Sequence, residues 1–233
     1  MLSSQPIAIF LFELSTETAR PWADAGYLCY CVDTQHAPGY HREGNIIRVG
    51  LSVFDFELPE GYIEFLAAFP PCTDLATSGA RWFKGKGLYA LADAIRLFAR
   101  AAELAEQAVA RCGTSYLIEN PASTISTYWR KPDNQFDPCD YAAYLEPAER
   151  IEEAYTKRTW LWCGGGFVMP IKKAVVPILG SKMHFITPGP ERANLRSVTA
   201  RGFSRAVFEA NSLKRVASAA VGDISPRQLV LTA

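Results

Sequence analysis

Ile7-Ala8-Ile9-Phe10-Leu11-Phe12-Glu13 and Tyr27-Leu28-Cys29-Tyr30-Cys31-Val32-Asp33 decide the fold. Each is an apolar run of strand length that stops at an acid, and residues 16–25 between them read as a helix terminated by Gly26. An apolar run without polar alternation is a strand covered on both faces, the signature of a parallel sheet between layers of helix. Working outward, residues 34–45 contain Pro38, Gly39 and Gly44 and read as a surface loop, and residues 46–55 offer a third strand ending in Asp55. Residues 62–69 form a fourth apolar segment that runs into Pro70-Pro71-Cys72-Thr73. The clearest helix is 88–111, with Leu91, Ile95, Phe98, Ala102, Ala105 and Val109 at three- and four-residue steps. Gly113 follows it, and Tyr116-Leu117-Ile118-Glu119 begins the next strand, ending in Asn120-Pro121. The predicted class is α/β, a mostly parallel sheet flanked by helices, with its acids along one edge.

At 233 residues the chain suits one well-buried domain with insertions rather than two. Residues 122–129 read as a short helix and 130–149 as an aperiodic stretch rich in Pro, Asp and Tyr, so 122–158 is expected as an insertion near the active edge. Residues 159–163 read as a late strand, Gly164-Gly165-Gly166 as a hinge or tight turn, and 199–220 as a closing helix with Phe203, Val207, Phe208 and Leu213 on its apolar side. The 24 basic and 24 acidic side chains balance, so no global field draws the protein to nucleic acid, and any such contact needs a local patch. Six cysteines, without a CxxC pair, point to neither a disulfide framework nor a zinc site, and no metal is expected; a reducing cytoplasm suits them. No apolar run reaches membrane-spanning length, so no membrane partner is expected, and the sequence leaves the oligomeric state open.

The chemistry rests on Cys72 and Glu119. If the strands before them are neighbours, a thiol and a carboxyl meet at the carboxyl edge of the sheet, where ligands of such sheets bind. A thiolate that adds to C6 of a pyrimidine makes C5 nucleophilic, provided an acid protonates or hydrogen-bonds the ring at N3. A free cysteine has a pKa of about 8.5 and needs a favourable site, such as the stiff turn that Pro70-Pro71 would impose. Taken singly, Cys72 also reads as a small buried residue in a Pro-kinked loop, and Glu119 as a strand-end acid capping a helix or meeting an arginine. Together, at the ends of successive strands, they point to pyrimidine C5 chemistry.

The order Phe12-Glu13, Asp33, Asp55, Pro70-Pro71-Cys72, Glu119-Asn120-Pro121 resembles the DNA (cytosine-5)-methyltransferase family over roughly the first half of the chain. Tyr128-Trp129-Arg130-Lys131-Pro132-Asp133 and residues 155–162 resemble segments of its short, phage-type members. The resemblance implies a Rossmann-like fold using S-adenosylmethionine, with Cys72 as nucleophile, Glu119 as the acid at N3, and Asn120 and Pro121 shaping the loop. It further implies that Phe12 stacks on the adenine side of the cofactor, that Asp33 takes the ribose hydroxyls and Asp55 the adenine amino group, and that Pro70 lies beside the methyl donor. Glu13 falls in the same segment, and the partner implied is DNA or a cytosine nucleotide, in the cytoplasm of a bacterial or phage-infected cell.

The chain departs from the family pattern in three places. Leu14-Ser15-Thr16-Glu17-Thr18 has no glycine where the family's first loop is usually glycine-rich, so Ser15 and Thr16 are the expected hydroxyl contacts. No Gln-x-Arg-x-Arg segment is present, and Arg81, Arg130, Lys131 and Arg158 are candidate substitutes for holding the substrate, each also readable as a surface ion pair. The cluster 128–131 with Lys157-Arg158 could bind phosphate and stack on a base, or be half-buried rings with solvated charges. Residues 164–198 are short for a domain that reads base edges, and are expected as a reduced recognition region and linker. Three functions follow: methylation of cytosine C5 in DNA on a flipped base, C5 modification of a free nucleotide or single strand, or a catalytically silent module that binds nucleic acid or protein.

Overall fold

A computed structural model of the chain describes residues 5–182, 189 and 192–212. The elements, in chain order, are β1 (Ile7–Leu11), α1 (Arg20–Asp24), β2 (Leu28–Val32), β3 (Gly39–Glu43), β4 (Ile46–Gly50), β5 (Ile63–Ala68), α2 (Phe83–Cys112), β6 (Ser115–Pro121), α3 (Ile125–Tyr128), β7 (Asn134–Phe136), β8 (Thr159–Gly164), α4 (Arg192–Ser197) and α5 (Arg201–Asn211). The strands form one eight-stranded sheet in the order β3-β4-β2-β1-β5-β6-β8-β7. β4, β2, β1, β5 and β6 are parallel, whereas β3, β8 and β7 join through antiparallel pairings. The architecture is therefore α/β with a mixed sheet, compatible with a Rossmann-like arrangement, and the strand order reverses between β1 and β5.

The parallel centre forms because its strands bury both faces. Along β1, Ile7, Ile9 and Leu11 face a core completed by Phe98, Ala101, Leu104, Ala105 and Ala108 of α2. Ala8 and Phe10 face the opposite core, with Trp22 of α1 and Phe203, Ala206 and Val207 of α5. Trp22 stacks on Phe65 at 4.4 Å between ring centroids and Phe136 on Phe203 at 3.9 Å. Each such fully buried ring contributes about 1.5–3 kcal/mol. α2 continues as expected from its apolar stripe, ends at Gly113 in the left-handed conformation, and starts earlier than predicted, across a kink at Gly87 (φ 80°, ψ 177°).

Several expectations are corrected. The helix predicted over 16–25 shrinks to α1, because the chain first makes left-handed turns at Phe12 and Thr16 and Pro21 then occupies the helix's first turn. The strand predicted over 46–55 stops at Gly50, and Asp55 lies in the turn closed by its own amide on the Ser52 carbonyl at 3.0 Å. The loop expected at 34–45 contains β3, joined to β4 by the two-residue turn Gly44-Asn45. The stretch 122–158 contributes β7, which pairs with β8 at the edge of the sheet. The glycine triplet is a tight turn: a Cβ on Gly165 (φ 60°) would come within 1.8 Å of the Thr114 carbonyl oxygen, so no other residue fits there. The closing helix is α5, and the part of that prediction beyond residue 212 lies outside the described residues.

Candidate active site

β5 and β6 are adjacent and parallel, so the segments that follow them emerge side by side. The post-β5 loop turns at Cys72, whose carbonyl accepts from the amides of Leu75 (3.0 Å) and Ala76 (2.8 Å). The two loops are stitched together: the Asn120 amide donates to the Pro70 carbonyl at 2.9 Å, Thr77 N to the Ala122 carbonyl at 2.9 Å, and Thr124 N to the Leu75 carbonyl at 2.9 Å. Lys86, from the first turn of α2, donates to the Thr73 carbonyl at 3.0 Å and pairs with Asp74 at 2.6 Å. The thiol is thus held by a braced loop rather than a free one.

Cys72 opens onto a cavity of about 530 Å³. Its lining combines the small, uncharged Ala76, Thr77, Ser78, Pro121 and Ala122 with the basic side chains of Lys157, Arg158 and Arg196 and with Asp137. Glu119 lines a separate narrow cleft with Tyr155, Lys157 and Thr159. Glu119 is only 5% exposed, and burial pushes its carboxyl above the usual range against the weaker pull of Lys157. A protonated carboxyl is a donor. Burial also pushes the Cys72 thiol up, a charged Glu119 would push it further, and Lys157 and Arg196 oppose both. A protonated Glu119 would remove that obstacle to the thiolate and could donate a hydrogen bond. Asn120 Oδ1, Ser123 Oγ and Thr124 Oγ1, just after Glu119, are buried without hydrogen-bond partners among the described residues.

A second cavity, of about 210 Å³, lies at the carboxyl ends of β1 and β2, beside the point where strand order reverses. Phe12, Glu13, Ser15, Asp33, Phe69 and Asn194 are in its lining. Phe12 (φ 59°) and Thr16 (φ 62°) hold left-handed conformations that are costly for side-chain-bearing residues, so the glycine-free loop still makes the sharp turns, under strain. Glu13 is buried, accepts from the Ser15 hydroxyl, and is raised by burial. Asp33 accepts from the amide of Gln35 at 2.8 Å. Thr16 is buried with an unpartnered hydroxyl but is not among the lining residues.

The lining thus combines aromatic side chains, the carboxyls of Glu13 and Asp33, and hydroxyl and amide groups. Asp55 does not join them, since it is exposed in its turn beyond β4. Pro70 is buried at the end of β5, with its carbonyl committed to Asn120.

Of the proposed substrate-holding residues, Pro121, Lys157 and Arg158 line the Cys72 cavity. Arg81 is exposed and stacks on Trp82 at 5.1 Å. Arg130 is committed to Asp133 and the Cys163 carbonyl and stacks on Trp129 at 4.7 Å, the structural reading of that cluster. Lys131 is exposed and outside the cavity. Trp129 in turn makes an edge-to-face contact with Phe98 of α2 at 5.8 Å between ring centroids. Asp137, Arg196, Gln35 and Asn194 were not singled out from sequence; they come from loops and from α4, and only the folded chain brings them to the cavities. Comparison with protein-family models and with curated proteins finds no match to this chain.

Proposed function

We propose that the chain is a cytosine C5-methyltransferase of Rossmann-like fold that uses S-adenosylmethionine and acts on DNA through a covalent Cys72 adduct. One observation carries this reading: a thiol facing a cavity and a buried, protonation-prone carboxyl stand at the ends of neighbouring parallel strands. When bound, S-adenosylmethionine supplies an electrophilic methyl group, and Phe12, Asp33 and the polar groups around Glu13 would hold it. Cys72 Sγ bonds to C6 of the base, and the electrons of the C5–C6 double bond make C5 the nucleophile. Glu119 gives its proton to N3 as that charge develops. After methyl transfer, a water molecule takes the C5 proton, the C5–C6 double bond re-forms as the Cys72 thiolate departs, and the proton on N3 returns to Glu119.

The basic lining of the cavity supports a phosphate-bearing substrate, and its accessible size suits a single extruded nucleotide. The same lining favours a second reading, in which a free pyrimidine nucleotide or single strand is the substrate. Turnover on deoxycytidine monophosphate, single-stranded and duplex DNA separates the two, since activity confined to duplex rejects the second. A silent binding module is the third reading, favoured by the displacement of Asp55 and the strained first loop; micromolar binding of S-adenosylmethionine in calorimetry would argue against it. The function itself is tested by incubation with methyl-labelled S-adenosylmethionine and cytosine-containing DNA. Label is expected at carbon 5 and is abolished in Cys72→Ala; label retained in that variant sinks the covalent mechanism.

A further inference from the structure

Among the described residues, Lys157 is the one side chain that lines both the Cys72 cavity and the Glu119 cleft. It precedes β8, and the Thr159 hydroxyl fixes its backbone by donating to the Lys157 carbonyl at 2.8 Å. Its ammonium donates to the Arg196 main-chain carbonyl at 2.9 Å, which uses one of three N–H donors and holds the charge at the boundary between the two spaces. We infer that Lys157 is a positioning residue that acts through Cys72, providing the fixed positive charge against which its thiolate forms. This rests on the proposed role of Cys72 but extends to a residue outside the thiol–carboxyl pair.

The groups that act on Cys72 come from several elements. Glu119 on β6 disfavours the thiolate when charged, while Lys157 before β8 and Arg196 on α4 favour it. Asp137 and Arg158 line the same cavity, and Asp74, paired with Lys86, follows in the Cys72 loop. Arg196 comes from the six-residue α4, and Arg158 is exposed. Lys157 and Arg196 are both half-buried, so water screens them less than Arg158, and of the two only Lys157 also lines the Glu119 cleft. Lys157 also acts on Glu119, favouring its carboxylate. Lys157 is thus placed to offset a negative charge on either group.

The test is alkylation of Cys72 by iodoacetamide across pH, read by mass spectrometry on the peptide that contains it, a measurement needing neither methyl donor nor DNA. Lys157→Gln should shift the pH profile upward and slow alkylation at neutral pH by about tenfold, the effect of losing one opposite charge nearby. Lys157→Arg should stay within about twofold of the wild type. If Lys157→Gln loses its native circular dichroism, Lys157→Met and Lys157→Arg decide: a slow neutral variant beside a fast charged one supports the assignment. Identical profiles for wild type and folded neutral variants, or an Arg variant as slow as the neutral ones, would overturn it. Because alkylation is independent of methyl transfer, a shifted profile in a protein that transfers no methyl group leaves this inference standing while rejecting the function above.

Discussion

The side-chain amide of Asn120 donates to the main-chain carbonyl of Pro70 at 2.9 Å, tying the end of β6 to the loop that carries Cys72. The bond is buried, and it fixes the spacing between the segments that present the thiol and the carboxyl. Removing it in Asn120→Ala leaves the Pro70 carbonyl without that donor and should cost about 1–3 kcal/mol. Urea unfolding measures the loss, and methyl transfer should fall by more than the folded fraction does. A stable variant with full activity would show that the brace is dispensable.

Thr16 tests the strain in the first loop. Thr16→Gly and Thr16→Ala both delete the buried side chain, but only glycine adopts a φ near 62° without penalty. Thr16→Gly should therefore be the more stable variant by about 1 kcal/mol, read from urea midpoints. Equal stabilities would mean that the left-handed turn carries no strain.

Glu119 makes stability depend on pH with a definite sign. Burial raises its folded-state pKa above the ordinary 4.5. The folded state then binds the proton more tightly, so this contribution is full below the unfolded pKa and is lost as pH rises through the folded value. Glu119→Gln, which resembles the protonated acid, should match the wild type near pH 4 (about) and exceed it near pH 8 (about). It should also lack methyl transfer. An unchanged stability difference between the two pH values would contradict a raised pKa.

The legible part of the fold was the part whose residues bury both faces: β1, β2, β5, β6 and α2 announce themselves by unbroken apolar runs or a helical stripe. β3 escaped because Tyr40, His41, Arg42 and Glu43 are exposed on an edge strand, although the Gly44-Asn45 pair was the hairpin signal. β7 has three residues, too few for a period. Cys72 and Glu119 were readable because a strand end in such a sheet is also a site. Asp55 was misjudged because an apolar run was extended through Ser52 into a turn, and Arg196 had no local signal, since only the return of the chain over the sheet brings it to Cys72.

The two candidate acids of the second cavity should separate. Asp33 is in the lining and Asp55 is exposed beyond it. Asp33→Ala should weaken S-adenosylmethionine binding about tenfold or more, the loss of a charge-assisted hydrogen bond, whereas Asp55→Ala should change it less than about twofold. Calorimetry distinguishes them, and the reverse order would mean that the nucleoside lies along β4 instead.

The covalent role of Cys72 is tested most directly with 5-fluorocytosine, because fluorine at carbon 5 cannot leave as a proton does and the methylated adduct is trapped. Incubated with S-adenosylmethionine and a 5-fluorocytosine duplex of random sequence, the protein should gain the mass of one strand plus a methyl group. The added mass should map to the peptide containing Cys72. Methyl transfer to ordinary cytosine with no trapped adduct, or an adduct that persists in Cys72→Ala, would contradict it.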